Sequence, residues 1–378
     1  MPYALSKFRI IDLTHMLTGP FATKMLADFG ADVIKVERPG TGDDSRAVGP
    51  FVNGESMYFA EQNRNKRSII LDLKTKEGKE NLLMLVSKAD VFVENFRPGV
   101  TEKLGLGYET LKKTNPSLIY ASCTGFGPEG PMAGQPAYDA TIQAISGAMG
   151  ITGKANGAYS IIGIPAISAS AALMLNMGIL AALLERERSG RGQKISVSMY
   201  DSAAAVLENS MVRYFNFGIV AKPLGNSNAA AFPFSSFHAA DADLVIATTS
   251  EASWVKLCET LEHTELTEDP RFLTTEKRAE NWGELEPLLN SILGKKKLAE
   301  WIKILRENNV VCGTINTMKQ LADDPQVQDR QMVSDMEHPV AGKVKVIGMP
   351  VKFSRTPCEI YRSAPLSGEH TEEILSSL

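Results

Sequence analysis

The chain has 378 residues, 44% of them hydrophobic and 22% charged, which is the profile of a folded enzyme-sized protein and excludes a disordered or fibrous one. Its formal net charge of -4 supplies no overall field for nucleic acid, so an anionic ligand must be met by local Lys and Arg. Four cysteines, Cys123, Cys258, Cys312 and Cys358, lie far apart with no CxxC spacing and no secretory signal before them, so we expect reduced thiols in a cytoplasmic protein. His15, His238, His263, His338 and His370 form no HxxxH or HExxH pair, and no metal site is expected.

In chain order, FRIIDLT reads as a buried strand, GPFATKMLADFG as a helix closing at Gly30, and ADVIKVERP as a second strand. RSIILDLKT, KEGKENLLMLVSKA and DVFVENF repeat the strand, helix, strand scheme, and LIYASCTGF adds a further strand. This succession predicts an α/β fold whose large domain is a doubly wound parallel sheet with ligands at the carboxyl ends of its strands. From Ile161 to Leu184 there is no charged residue, a run long enough to span a bilayer. Gly163 and Pro165 place the expected helix start near Ser168 or Ser170, leaving four or five turns, so we expect a helix buried on all sides in a core or dimer interface. ERERSGRGQ then gives a charged last turn and glycine stop signals before the strand KISVSM.

Around AKPLGNSNAAAFPFSSF the composition shifts to Gly, Asn, Pro and Ser, as at a crossing between domains. LVIATT, the helix around WVKLCETL and LAEWIKILRENN then suggest a second, smaller α+β domain, and the tail returns to the first. The expected division is 1–200 with 345–378 for the large domain and 225–330 for the small one, with 201–224 and 331–344 as linkers. Two motifs carry less than they suggest. Gly125, Gly127 and Gly130 satisfy GxGxxG, but Pro128 and Pro131 remove backbone donors where a pyrophosphate would sit, and no helix opens there. The basic run Arg186, Arg188, Arg191 and Lys194 reads as a solvated helix end.

IDLTHMLTGPFATKMLADFGADVIKVERPGTGDDSR, NRNKRSIILDLK, VENFRPGVTEKLGLGYETL, YASCTGFGPEGP, GILAALLERERSGRGQKISVSMYDS and APLSGEHTEEIL together resemble the class III CoA-transferases, the family of formyl-CoA transferase and carnitine CoA-transferase, related to α-methylacyl-CoA racemase. The resemblance implies an interlocked dimer, a site where the large and small domains meet, and coenzyme A or an acyl-CoA as substrate together with a free carboxylic acid. CoA carries a diphosphate and a ribose phosphate, so it wants separated cations and an apolar slot for adenine. Arg38, Lys74 and Lys103 follow predicted strands and match CoA-contacting positions of the family, as do Asn95 and Phe96. Tyr138, where the racemases carry a histidine, is counted with them. His15 and Met199 match positions lining the thioester end.

At one position the chain departs from the family. The family's nucleophilic aspartate stands ten residues before GILAAL, and counting back from Gly178 lands on Ser168, with no carboxylate among its neighbours. In the family mechanism that carboxylate attacks the acyl-CoA and then carries CoA as a thioester; a serine has no carbonyl carbon to carry it. Asp139 matches an acidic site position in some relatives. Three readings stand open: an introduced exchange at Ser168, a natural subunit paired with an aspartate-bearing paralogue, or a different acyl-CoA chemistry or binding role. A racemase is disfavoured, because both members of the proton-transfer pair are absent.

Overall fold

The structure, a computed structural model, describes residues 3–155, 157–228 and 230–378. Ala229, within the expected domain crossing, lies outside the described residues. The chain divides into two compact units, one of Met1–Met149, Ile161–Val220 and Pro325–Leu378, the other of Gly150–Ser160 and Ala221–Asp324.

The first unit is organised by six strands: β1 (Arg9–Asp12), β2 (Asp32–Glu37), β3 (Lys66–Ile70), β4 (Val91–Glu94), β5 (Ile119–Thr124) and β6 (Lys194–Ser198). They pair in parallel in the order β3-β2-β1-β4-β5-β6. Runs such as Ile10-Ile11 and Val91-Phe92-Val93 are apolar on both faces because helices cover both sides. Ile10, Val33, Val93 and Ala121 pack with Leu26, Leu175 and Ile179 on one side. Ile11, Ile34, Phe92 and Tyr120 pack with Leu82, Leu85 and Ile374 on the other. The strand order reverses direction between β1 and β4, and this is the switch point at which such sheets open a crevice.

The uncharged run from Ala166 onward and the charged residues after Leu184 form one helix, Ala166–Ser189, of 24 residues, called here the long helix. It begins two residues before Ser168, with Pro165 at its N-terminal boundary, because the fixed φ of proline suits a helix start. The expected length of four or five turns is therefore too short, and length does not distinguish this helix from a membrane span. Packing does: Ile167, Ala171, Leu175 and Ile179 lie in the core, and the Asn176 amide donates to Ala22 O at 3.1 Å. Gly178 permits the close approach to β6, since a Cβ there would meet Ile195 Cγ2 at 3.0 Å. The single chain covers one side of this helix and leaves the other open. Leu173, Met177 and Leu184 are exposed within the single chain, Met177 at 66% and Leu184 at 71%.

Both segments expected as linkers carry regular structure. Residues 201–224 contain most of the helix Met199–Val206 and all of Glu208–Phe217. Residues 331–344 lie largely in an antiparallel hairpin of Val333–His338 and Gly342–Ile347. The hairpin finds cover that its polar sequence does not advertise, since Met336 and Val346 pack with Phe59 and Ala364. The second unit holds a three-stranded antiparallel sheet in the order Cys312–Thr314, Asp243–Ala247, Phe234–His238. Helices Glu251–Thr260, Trp282–Leu293 and Leu298–Glu307 close its core over Phe237, Trp254 and Leu289.

Beneath the carboxyl ends of β1, β2 and β3 lies a buried network of charges. The Asp12 carboxylate accepts from Thr14 N at 2.8 Å, Thr23 Oγ1 at 2.7 Å and Lys66 Nζ at 2.9 Å. Lys35 Nζ donates to Thr14 O at 2.8 Å and pairs with Asp43 at 2.7 Å. Glu37 receives both arms of Arg46 at 2.7 Å and Ser68 Oγ at 2.6 Å. Burial alone would push Asp12, Asp43 and Glu37 up, but Lys66 and Lys35 at Asp12, Lys35 at Asp43 and Arg46 at Glu37 hold all three below the usual carboxylate range.

Two outcomes follow for stability. Carboxyls whose folded pKa is depressed contribute fully above their unfolded value of about 4, so the unfolding midpoint should fall as pH drops below about 4 in a circular-dichroism titration. Asp12→Ala strands the Lys66 ammonium in the core and should cost about 3–5 kcal/mol in urea unfolding; an unchanged midpoint would contradict the network's role.

Candidate active site

At the carboxyl ends of β1, β4 and β5 the first unit opens into a cavity of about 630 Å³, within the size range of small-molecule sites. The switch point itself is closed by one residue from each side. His15 N donates to Asn95 Oδ1 at 2.9 Å and Asn95 Nδ2 donates back to His15 O at 2.9 Å. The chain then turns at Met16, whose φ of 68° is left-handed and whose N–H is held by Asp43 Oδ1 at 3.2 Å. The charged network thus fixes the peptide that presents His15.

The His15 ring lies 5.3 Å from that of Phe96, and its Nδ1 is buried without a hydrogen-bond partner among the described residues. Burial, reinforced by the Lys35 charge and opposed by Asp43, pushes its pKa below the ordinary value. The ring is therefore a neutral imidazole near pH 7, able to accept or donate one proton.

Ser168, in the first turn of the long helix, is buried and donates its N–H to Asp139 Oδ2 at 2.7 Å. Asp139 opens the short helix Asp139–Ile145, and its other oxygen accepts from Gln143 Nε2. Gln143 is oriented in turn by Ile162 N, which donates to Gln143 Oε1 at 2.8 Å. The Asp139 carboxylate therefore sits on the backbone N–H at the amino end of the long helix, where the helix dipole favours negative charge. Gly125 allows this arrangement, because a Cβ there would lie 2.4 Å from Ala137 Cβ, and the loop could not fold back to bring Tyr138 and Asp139 over the cavity. This is what the first glycine of GFGPEG is for; no helix follows the motif before Asp139.

The cavity wall brings together His15, Arg38, Asn95, Phe96, Tyr138, Asp139, Ser168 and Met199. Arg38 stands at the end of β2, paired with Asp44 and donating from Nε to Thr41 Oγ1 at 2.6 Å. Tyr138 is 76% exposed, whereas Met199, the first residue of the helix after β6, is buried. Lys74 and Lys103 do not line this cavity. Both are exposed, Lys74 in the turn after β3 and Lys103 on the short helix Val100–Leu104. Sequence reasoning passed over Arg97, an exposed cation on the cavity wall directly after Asn95 and Phe96 in VENFRPGV. It also missed the support from Lys35 and Asp43, for which GDDSR gave only an unassigned pair of acids. Cys123 forms part of the wall, its thiol pushed up to about 12 by burial and the nearby Glu94 carboxyl. The cavity thus combines two arginines, a neutral imidazole, aromatic surface, hydroxyls and two carboxylates, Asp44 and Asp139, a set suited to a large anionic ligand and to acyl chemistry.

Comparison with known proteins agrees in kind. The pattern of CoA-transferase family III matches residues 5–371. The chain is 38% identical to the succinyl-CoA:glutarate CoA-transferase of Mus musculus, over 99% of this chain and 86% of that protein. It is 40% identical to the acetyl-CoA:oxalate CoA-transferase of Acetobacter aceti, over 91% and 88% of the two chains. The crystal structure of a CAIB/BAIF family protein from Brucella suis superposes with a TM-score of 0.89 at 35% identity, covering all of both chains. With a match that spans nearly the whole sequence, and a fold shared from end to end, the chain belongs to CoA-transferase family III and is a protein of the transferase type.

Proposed function

We propose that the cavity binds an acyl-CoA and that the chain serves the transfer of CoA from that thioester to a free carboxylic acid. The observation that supports this most directly is the convergence, on one wall at the sheet's switch point, of Arg38, His15, Asn95, Phe96, Asp139 and Ser168 in a family III chain. Arg38 and Arg97 are the cations to meet CoA phosphates, and Phe96, Tyr138 and Met199 offer apolar surface. Lys74 and Lys103 lie outside the wall, on exposed surface, where they can meet only those parts of CoA that extend beyond the cavity. The acids exchanged are taken from no single relative; succinyl-CoA and acetyl-CoA, named for two of them, are the first donors to try.

Ser168 favours a second reading. A hydroxyl at the nucleophile's place can form an ester with an acyl group but cannot carry CoA, so the chain alone would be an acyl-CoA-binding subunit completed by an aspartate-bearing paralogue. Purified chain and chain co-expressed with such a paralogue, assayed side by side for transfer, separate the two.

Binding is expected in either case. Calorimetry should show affinity for CoA thioesters that weakens in high salt, and Arg38→Ala should lose about 1.5–3 kcal/mol, the range for hydrogen bonds to charged groups. Absence of binding by the intact chain would end the reading.

Assembly as a dimer, implied by the family resemblance, has its own support in the open apolar face of the long helix, where Leu173, Met177 and Leu184 lack cover. Sedimentation should give the mass of two chains and no dissociation on dilution, and Met177→Glu should disrupt the assembly. A stable wild-type monomer would count against it.

A further inference from the structure

CoA transfer between a thioester and a carboxylate requires the protein to hold CoA while the first acid leaves and the second arrives. Only an acyl carbon can hold a thiol as a thioester, so the holding group must be a carboxyl side chain. Ser168 fails this test, as do His15 and Cys123. Two carboxylates line the cavity, Asp44 and Asp139. Asp44 is paired with Arg38, which withdraws its charge. Asp139 makes no ion pair among the described residues and is held by two neutral donors, Ser168 N–H and Gln143 Nε2. It is half-buried, on the cavity wall, and one of its oxygens lies 2.7 Å from the backbone nitrogen of Ser168. A carboxylate therefore occupies the amino end of the long helix although residue 168 does not supply it.

We propose that Asp139 is the nucleophile of this chain, forming the enzyme-bound CoA thioester in place of a carboxylate at position 168. The inference rests on the acyl-CoA reading of the cavity. An Asp139 oxygen attacks the thioester carbonyl, the carbon–sulfur bond breaks, and CoA leaves as a thiolate from a mixed anhydride. The thiolate adds to Asp139 Cγ, and the bond from Cγ to the acyl-bearing oxygen breaks, releasing the donor acid as a carboxylate. The acceptor carboxylate then attacks Cγ and expels the thiolate, which takes the acceptor's acyl carbon and restores Asp139. No proton, electron or further reactant is left over. During each addition at Cγ the negative charge moves onto an Asp139 oxygen, where Ser168 N–H or Gln143 Nε2 already donates, an arrangement that stabilises an oxyanion without reorganisation. Ser168 acts here through its backbone, which a serine supplies as well as an aspartate.

The test uses the intact, unmodified chain with succinyl-CoA or acetyl-CoA, quenched with hydroxylamine and mapped by peptide mass spectrometry. A hydroxamate at Asp139 is the expected result. Asp139→Asn should lose it completely while calorimetry still shows the thioester bound, since the amide oxygen can accept from Ser168 N–H and keep the helix start in place. Thioester bound by the unmodified chain with no adduct, an adduct at any other residue, or an adduct that survives Asp139→Asn would overturn the proposal. An acyl ester lost on Ser168→Ala would do the same and favour the partner-dependent subunit. Failure of the unmodified chain to bind either thioester would instead remove the acyl-CoA reading itself.

Discussion

The site depends on charges it does not expose. Lys35 and Asp43 pair in the core, and from the same two side chains Lys35 reaches Thr14 O and Asp43 reaches Met16 N. The intervening residue is His15, so an ion pair sealed from water determines where the imidazole stands. A buried pair of this kind is a weak source of net stability, because desolvation offsets much of its attraction, but it is demanding about geometry. Lys66 and Asp12 tie β3 to β1 in the same way, and Glu37 with Arg46 anchors the loop that carries Arg38. The carboxyl edge of half the sheet is thus set by a network in which loss of one member strands another.

The other half of the sheet enters through Asn95. Its amide closes both a donor and an acceptor on the His15 backbone across the switch point. An aspartate there could accept but not donate, and an aliphatic residue would leave two backbone groups unpaired in a half-buried position. The cavity therefore reports on the relative position of β1 and β4, the two strands between which the winding of the fold reverses.

Most of the parallel sheet was legible because buried strands write themselves as short apolar runs between helices with turn signals. Ile10-Ile11, Val33-Ile34 and Val91-Phe92-Val93 were each found this way. The hairpin of Val333–His338 and Gly342–Ile347 was missed because its pattern is mostly polar and its cover comes from Phe59 and Ala364, far away in sequence. The start of the long helix was set too late for a local reason: Pro165 and Ser168 were both available as boundary signals, and the proline won. Of the site, the motif residues could be read in the sequence, whereas the bond from Ser168 to Asp139 joins positions 29 residues apart and has no signature in either stretch. The second unit takes Gly150–Ser160 from before the long helix, a return that no linear boundary can express.

Cys123 sits in the wall of a cavity read here as handling thioesters, where a reactive thiol would be a hazard. Acyl groups pass readily between thiolates, so a wall cysteine that ionised would draw the acyl group away from the intended acceptor. Burial, with Glu94 beside it, keeps this sulfur protonated far above neutral pH. The same environment guards against mixed disulfides with a thiol ligand, since the exchange also begins from a thiolate. Fidelity in such a cavity is thus a matter of which sulfur is allowed its charge, and the protein's own is the one denied it.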